Sequence, residues 1–260
     1  MHGGAIQRSR IAPRASAAFA VAALFVDERE CNVVGVAIPR AEIHIVARFG
    51  SSTRGGFDVH ALGGRHMVHR KLLRGGQRAV TARLRLGAPE VVLGVPASAL
   101  AGRIVALEDL WGAAATRRLL DRLAGAGDMV NMAAILESAI AERFAIADGR
   151  RAPARLALDA AERLTNTRVN IVASQLGVSE RHLRRVFRET VGVSPKTFAK
   201  LARFRRALRA AREDGHGGWA SIAAATGYYD QAHLIAEFRA IAGVTPRAFL
   251  SELRAAPSIG

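Results

Sequence analysis

Two segments of this chain carry one pattern. IVASQLGVSERHLRRVFRETVGVSPKTF (171–198) is echoed by IAAATGYYDQAHLIAEFRAIAGVTPRAF (222–249). Val172, Ala173 and Gly177 recur as Ile222, Ala223 and Gly227, 50 positions on. Leu183, Phe187, Gly192, Pro195 and Phe198 recur as Leu234, Phe238, Gly243, Pro246 and Phe249, 51 positions on. The offset changes once, between the glycine and the leucine. One residue is therefore inserted in a turn, and the apolar spacing is kept everywhere else. A repeat that varies only in a turn is one folded unit used twice.

The chemistry of the first copy is legible residue by residue. A helix is expected over 169–176, a turn at Gly177 and Val178, and Ser179 as the N-cap of the next helix. Helix, glycine, turn and helix at this spacing have the layout of a DNA-binding helix-turn-helix. In the second helix, Leu183, Val186 and Phe187 share one side and face a core. Arg181, Arg184, Arg185 and Arg188 share the opposite side. Four guanidinium groups on one face repel one another unless an anion lies against them. The major groove supplies that partner: arginine can give guanine two hydrogen bonds, about 1–3 kcal/mol of discrimination per pair. Outer arginines can hold phosphate.

The segment GVSP (192–195) closes the first unit, with Pro195 at a tolerated first-turn position. A long basic helix follows over about 195–213. At 1.5 Å per residue it spans roughly 28 Å, close to the roughly 34 Å between successive major-groove faces on one side of DNA. Between Arg181 and Arg209 there are ten basic residues and one acid, Glu189.

Two such units on a linking helix, each closed by G-V-[ST]-P-x-x-[FY], resemble the AraC/XylS family of transcription regulators over about 155–255. The resemblance implies base-reading positions at Arg181, Arg184 and Arg185 in the first unit. In the second they fall on Gln231, Ala232, His233, Ile235 and Ala236, with Gln231 and His233 as the polar members. An arginine is usual in the family where Ala236 stands. The second face is therefore suited to thymine methyls and to anchoring rather than to guanine edges. Ser179, Arg188, Lys196 and Arg239 are the expected phosphate or anchoring contacts. The first unit is expected to specify sequence and the second mainly to hold on.

The chain divides by composition into 1–150 and 151–260, with a linker around DGRRAP (148–153). In the front part, short strands are expected at 17–26, 33–38, 42–49, 56–61, 65–70 and 77–86. EIHIVARF (42–49) and VTARLRL (80–86) show the alternation. Repeated Gly-Gly turns suggest a small β-barrel or sandwich. After Pro89 the pattern becomes helical. A hairpin is expected from 116–123 and 129–144, with Asp128 as the second cap. This hairpin would cover the strands or form a homodimer surface over 113–144. The fold class is thus α+β, with an all-α C-terminal part. The segments PRAEIHIVARFG (39–50) and LGVPASALAGRIVALEDLWG (93–112) resemble a domain that precedes such DNA-binding domains and carries no known ligand.

Net charge is +16, which points to an anionic partner. Double-stranded DNA is the expected partner, with RNA polymerase and a small-molecule effector as further ones. One cysteine, Cys31, leaves no internal disulfide and no multi-cysteine zinc site, which suits the cytoplasm, in association with the nucleoid. Arg8, Arg10 and Arg14 precede an apolar run (15–26) that mimics a secretory leader. The run, however, passes directly into DERE (27–30) without a small-residue cleavage site. No stretch has the length of a membrane helix. His44, His60, His66 and His69 match no metal-ligand spacing, and no Ser/His/Asp or paired-carboxylate arrangement stands out. No metal, cofactor or catalytic residue is expected. The favoured function is a transcription regulator controlled by a signal at the front domain. The alternatives are a ligand-binding or enzymatic barrel with incidental DNA affinity, or a constitutive DNA-binding protein.

Overall fold

The alternation in 42–49 produces a strand with two chemically different faces, and this decides the architecture of the front half. The computed structural model describes residues 7–50, 56–146, 151–213, 218–256 and 258–259. Seven strands come first: β1 (Gln7–Ile11), β2 (Val21–Glu28), β3 (Val33–Ala37), β4 (His44–Phe49), β5 (Phe57–Leu62), β6 (His69–Leu73) and β7 (Arg78–Leu84). Helices α1 (Pro89–Leu93) and α2 (Ala97–Leu100) follow, then β8 (Ile104–Ala106), α3 (Leu107–Trp111), α4 (Ala113–Ala124) and α5 (Met129–Ile146). The C-terminal half holds α6 (Arg151–Leu164), α7 (Val169–Gln175), α8 (Glu180–Val191), α9 (Pro195–Glu213), α10 (Trp219–Thr226), α11 (Gln231–Ala242), α12 (Pro246–Ala255) and β9 (Ser258–Ile259).

The strands form two open sheets rather than a closed barrel. The larger has the order β1-β2-β7-β4-β5-β8, and the smaller has the order β6-β3-β9. Register places Ile45 beside Ala82 and Ala61, and Ala47 beside Val80 and Val59. This apolar face is sealed by Leu119, Leu123, Met132, Leu136 and Ile140 of α4 and α5. The helical hairpin therefore spends its apolar stripe on the sheet, and the faces left open on α4 are polar. Asp128 accepts the Asn131 amide at 2.8 Å, as its expected capping role requires. Trp111 is buried and donates its indole N–H to the Val92 carbonyl at 2.9 Å.

Three strand expectations need correction. No strand is expected before residue 17, yet residues 7–11 form β1, because β2 offers a free edge and pairs Arg8 with Asp27. The strand expected from 17 starts at Val21, after turns at 15–20. The strand expected at 65–70 is β6, displaced to His69–Leu73 to pair with β3. The linker residues 148–150 lie outside the described residues.

The C-terminal half has two cores, one for each unit. The first gathers Leu164, Val172, Leu183 and Phe187, and it also includes Ala41 of the front half. The second gathers Phe204, Leu234, Phe238 and Phe249, and it includes Val36 and Val68 of the front half. Phe204 meets Phe238 at 4.5 Å and Phe249 at 5.9 Å between ring centroids. Each fully buried side chain of this size contributes roughly 1.5–3 kcal/mol of burial free energy. The halves are joined by more than packing. β9 adds in parallel to β3, and the Val68 amide donates to the Ile241 carbonyl at 2.9 Å. Arg70 binds Glu252 with both Nε and Nη2.

Candidate nucleic-acid interface

The two helix-turn-helix units are built by matching local devices. Gly177 and Gly227 turn the chain at φ of 66° and 84°, values a side chain resists. The next amide then returns to the preceding helix: Val178 N–H donates to the Ala173 carbonyl at 3.1 Å, and Tyr228 N–H to Ala223 at 3.0 Å. Ser179 caps α8 by accepting the His182 amide at 3.2 Å. Asp230 caps α11 by accepting the His233 amide at 2.7 Å. The inserted residue lies between Gly227 and Asp230, in the turn where the repeat offset placed it. Both second helices end on a left-handed glycine, Gly192 and Gly243.

These devices aim α8 and α11. On α8, Leu183, Val186 and Phe187 are buried, while Arg181, Arg184, Arg185 and Arg188 are exposed on one side. Two of the four are held by carboxylates of the same helix. Glu180 accepts from Arg184 Nε at 2.8 Å, and Glu189 accepts from Arg185 Nη1 at 3.2 Å. Arg181 and Arg188 have no ion-pair partner among the described residues. Glu180 and Glu189 could have been found in the sequence from their four-residue spacing to the arginines.

The face of α11 is different. Gln231, Ala232, His233, Ala236 and Arg239 are exposed, and Ile235 is half-buried. His233 is turned back on its own turn: it stands 5.3 Å from the Tyr228 ring, edge-on, and its Nδ1 accepts the Tyr229 amide at 3.4 Å. Tyr229, the extra turn residue, is 93% exposed. It belongs to the candidate surface and was not singled out from the sequence.

The linking helix α9 uses Arg203, Arg205 and Arg206 internally, while Arg209 and Arg212 are exposed. Arg203 binds the buried Glu237 at 2.9 Å and lies 5.4 Å from the centre of the Tyr228 ring. Burial, followed by the Glu237 charge, pushes the Tyr228 phenol above its ordinary range. Arg206 bonds Asn166 of the first unit and the Thr226 carbonyl of the second. The basic run of 181–209 thus holds a surface set on α8 and a structural trio, Arg203, Arg205 and Arg206, on α9. Lys196 remains exposed at the start of α9, beside the closing turn where Ser194 Oγ accepts the Thr197 amide at 3.1 Å. The front half borders the α8 face. Ser98 and Ala99 of α2 share a surface cleft with Arg184, Arg185 and Arg188.

Residues 172–252 match the family model described as a helix-turn-helix domain. The chain carries an AraC-type helix-turn-helix domain. Among solved structures, the DNA-binding domain of AdpA in complex with a target DNA is 26% identical, covering 40% of this chain and 93% of that one, at a TM-score of 0.34. ToxT of Vibrio cholerae O395 is 11% identical, covering 88% of this chain and 96% of that one, at a TM-score of 0.41. A second ToxT structure from Vibrio cholerae is 10% identical over 95% of this chain and 98% of that one, at 0.40. At TM-scores this low, these neighbours say nothing further about how this chain is arranged. No curated protein matches the chain. An AraC-type helix-turn-helix domain makes the chain a DNA-binding transcription regulator. Among the described residues no helix is long and apolar enough to cross a membrane, and no three potential metal ligands come together.

Proposed function

We propose that this DNA-binding transcription regulator uses its two units unequally. Arg181, Arg184 and Arg185 of α8 read base edges in the major groove, and Ser179, Arg188 and Lys196 fix the backbone. On α11, Gln231 and His233 contribute lesser base contacts, and Arg239 anchors phosphate. The observation that carries this reading is the contrast between the two exposed faces: four arginines on α8 against one on α11.

Residues 1–150 form the regulatory domain and 151–260 the DNA-binding domain. The front half receives a small-molecule signal and biases the pose of the DNA-binding domain. The shared cores at Ala41, Val36 and Val68 support that link. The chain works by binding rather than catalysis, in the cytoplasm on nucleoid DNA, with RNA polymerase as a partner. A homodimer through 113–144 would use the polar faces of the helical hairpin.

The test is binding to genomic fragments at physiological salt. Arg184→Ala should cost about 1–3 kcal/mol on the preferred site and relax specificity there. Gln231→Ala with His233→Ala should weaken all sites with little change in preference. The reverse pattern, with preference lost on changing α11 and kept on changing α8, would sink the assignment.

A further inference from the structure

The space between the two sheets of the front half is not filled as sandwich interiors are. Apolar side chains from both inner faces normally interdigitate there. Here the inner face of the larger sheet is polar. Register puts Asp27 beside Ala79, Ala79 beside Arg48, and Arg48 beside Asp58 in one row, with Thr81, Val46 and His60 in the next. Between this face and the smaller sheet lies a cavity of about 370 Å³, within the size range of small-ligand sites.

The charge lining this cavity is unbalanced. Six lining side chains are cations, Arg29, Arg40, Arg48, Arg65, Arg70 and Lys71, and two are acids, Asp27 and Glu42. Asp58 occupies Arg48, and Glu252 occupies Arg70. The two lining acids face other arginines: Asp27 lies 3.6 Å from Arg8, and Glu42 lies 3.7 Å from Arg205. Arg29, Arg40, Arg65 and Lys71 are left without an ion pair among the described residues.

Arg29 and Arg40 also have unspent hydrogen-bonding capacity. Nε and Nη1 of Arg40, Nε of Arg29 and Nε2 of His44 are buried with no hydrogen-bond partner. Buried donors without acceptors are costly and rare in native folds. Burial, then the nearby Arg205, lowers Arg40 to about 10. Burial, then Arg48, Arg65 and Arg29, also lowers Lys71. Arg40 and Arg65 lie in the segments that follow β3 and β5, where the Arg65 amide donates to the Arg40 carbonyl at 2.7 Å.

We propose that this cavity binds a small organic dianion. Its negative charge is taken by Arg40, Arg65 and Lys71, and its carbon body lies against Val46, Leu62 and Leu73. The inference rests on the front half being the regulatory domain. It names the site and the ligand class: a dicarboxylate, or a phosphate ester that supplies both charges from one end. Glu42, in the same wall, is paired with Arg205 of α9. The site is therefore one ion pair from the helix that spaces the two DNA-binding units.

The test is calorimetric titration of the full chain, without DNA and at fixed ionic strength, using succinate, glycerol phosphate, butyrate and butanediol. The expected result is saturable one-to-one binding of a dianion, with succinate ahead if the charges must be separated and glycerol phosphate ahead if one phosphate suffices. Butyrate should bind at least about tenfold more weakly and butanediol not at all. Arg40→Met and Arg65→Gln should each weaken the dianion about tenfold or more, and Arg184→Ala with Arg188→Ala should leave it unchanged. Arg65→Gln decides the matter if Arg40→Met does not fold. The proposal is overturned if neither dianion saturates at millimolar concentration, if the folded cavity variants bind as before, or if the α8 variant abolishes binding. Specific DNA binding by the ligand-free chain is measured alongside. It is repeated with each dianion present; absence of specific binding in every condition would remove the regulatory reading, whereas failure of the titration alone would remove only this site.

Discussion

Arg205, on the linking helix, places Nη1 3.7 Å from Oε1 of Glu42 in the wall of the inter-sheet cavity. Burial opposes the charge on Glu42. Arg205, a backbone hydrogen bond, Arg40 and Arg83 together outweigh that burial and lower its pKa from the ordinary 4.5. A depressed carboxylate contributes stability that is fully present above its unfolded value and is lost as pH falls through the folded one. Arg205→Met should therefore raise the Glu42 pKa, lower stability at neutral pH and shrink the loss that Glu42 contributes on acidification. A carbon-13 NMR titration of the Glu42 carboxyl reads the shift directly, and an unchanged pKa would show that the pair is not felt.

His44 gives the opposite kind of pH dependence. Burial, with the Arg40, Arg83 and Arg8 charges and against that of Glu42, lowers it from 6.5 to about 3. The unfolded chain takes up this proton as pH falls through 6.5, and the folded chain refuses it until about 3. Stability should therefore fall between those values, by up to about 1.4 kcal/mol per pH unit from this residue. Urea unfolding at pH 6.5 and pH 5 should show a smaller drop for His44→Gln than for the parent chain. Equal drops would mean that His44 is not held neutral by the fold.

Gly192 and Gly243 close the two reading helices at φ of 87° and 77°. A Cβ on Gly243 meets nothing, while one on Gly192 would stand 3.0 Å from the Ala97 carbonyl oxygen of α2. Both alanine variants should lose about 1–2 kcal/mol for the left-handed backbone. Only Gly192→Ala should also loosen the contact between α2 and α8. Thermal melts paired with limited proteolysis around residues 94–103 would separate the two costs.

Glu189 holds Arg185 at 3.2 Å across one helical turn. Both side chains are largely exposed, so the pair is worth only about 0.3–0.5 kcal/mol. It nevertheless competes with DNA for one guanidinium and places a negative charge near phosphate. Glu189→Gln should raise DNA affinity severalfold without altering melting temperature by more than a degree or so. Titrations at two salt concentrations should show the gain shrinking as salt rises.

The repeat made most of the C-terminal half legible. Glycine turns, serine and aspartate caps and apolar spacing are local devices, each acting within a few residues of itself. The α8 face was legible for the same reason, because helical periodicity alone puts Arg181, Arg184, Arg185 and Arg188 together. Arg203, Arg205 and Arg206 of α9 were not legible as structural. Their partners, Glu42, Asn166 and Glu237, lie 34 to 163 residues away in sequence. In the front half, alternation disclosed the strands but not their pairing. β1 and β9 are short segments whose pairing depends on an edge offered elsewhere, and β6 slid four residues to find β3.

By itself the sequence determined the double helix-turn-helix, the inequality of its two faces and the α+β division of the chain. These follow from period and turn chemistry along a local stretch. The tertiary structure decided that the strands form two open sheets and that a polar face is turned inward around a cationic cavity. It also decided that the front half enters both C-terminal cores. Which of two alternating faces is buried, and against what, depends on the partner that arrives from elsewhere in the chain, and period-two alternation is the same for either choice.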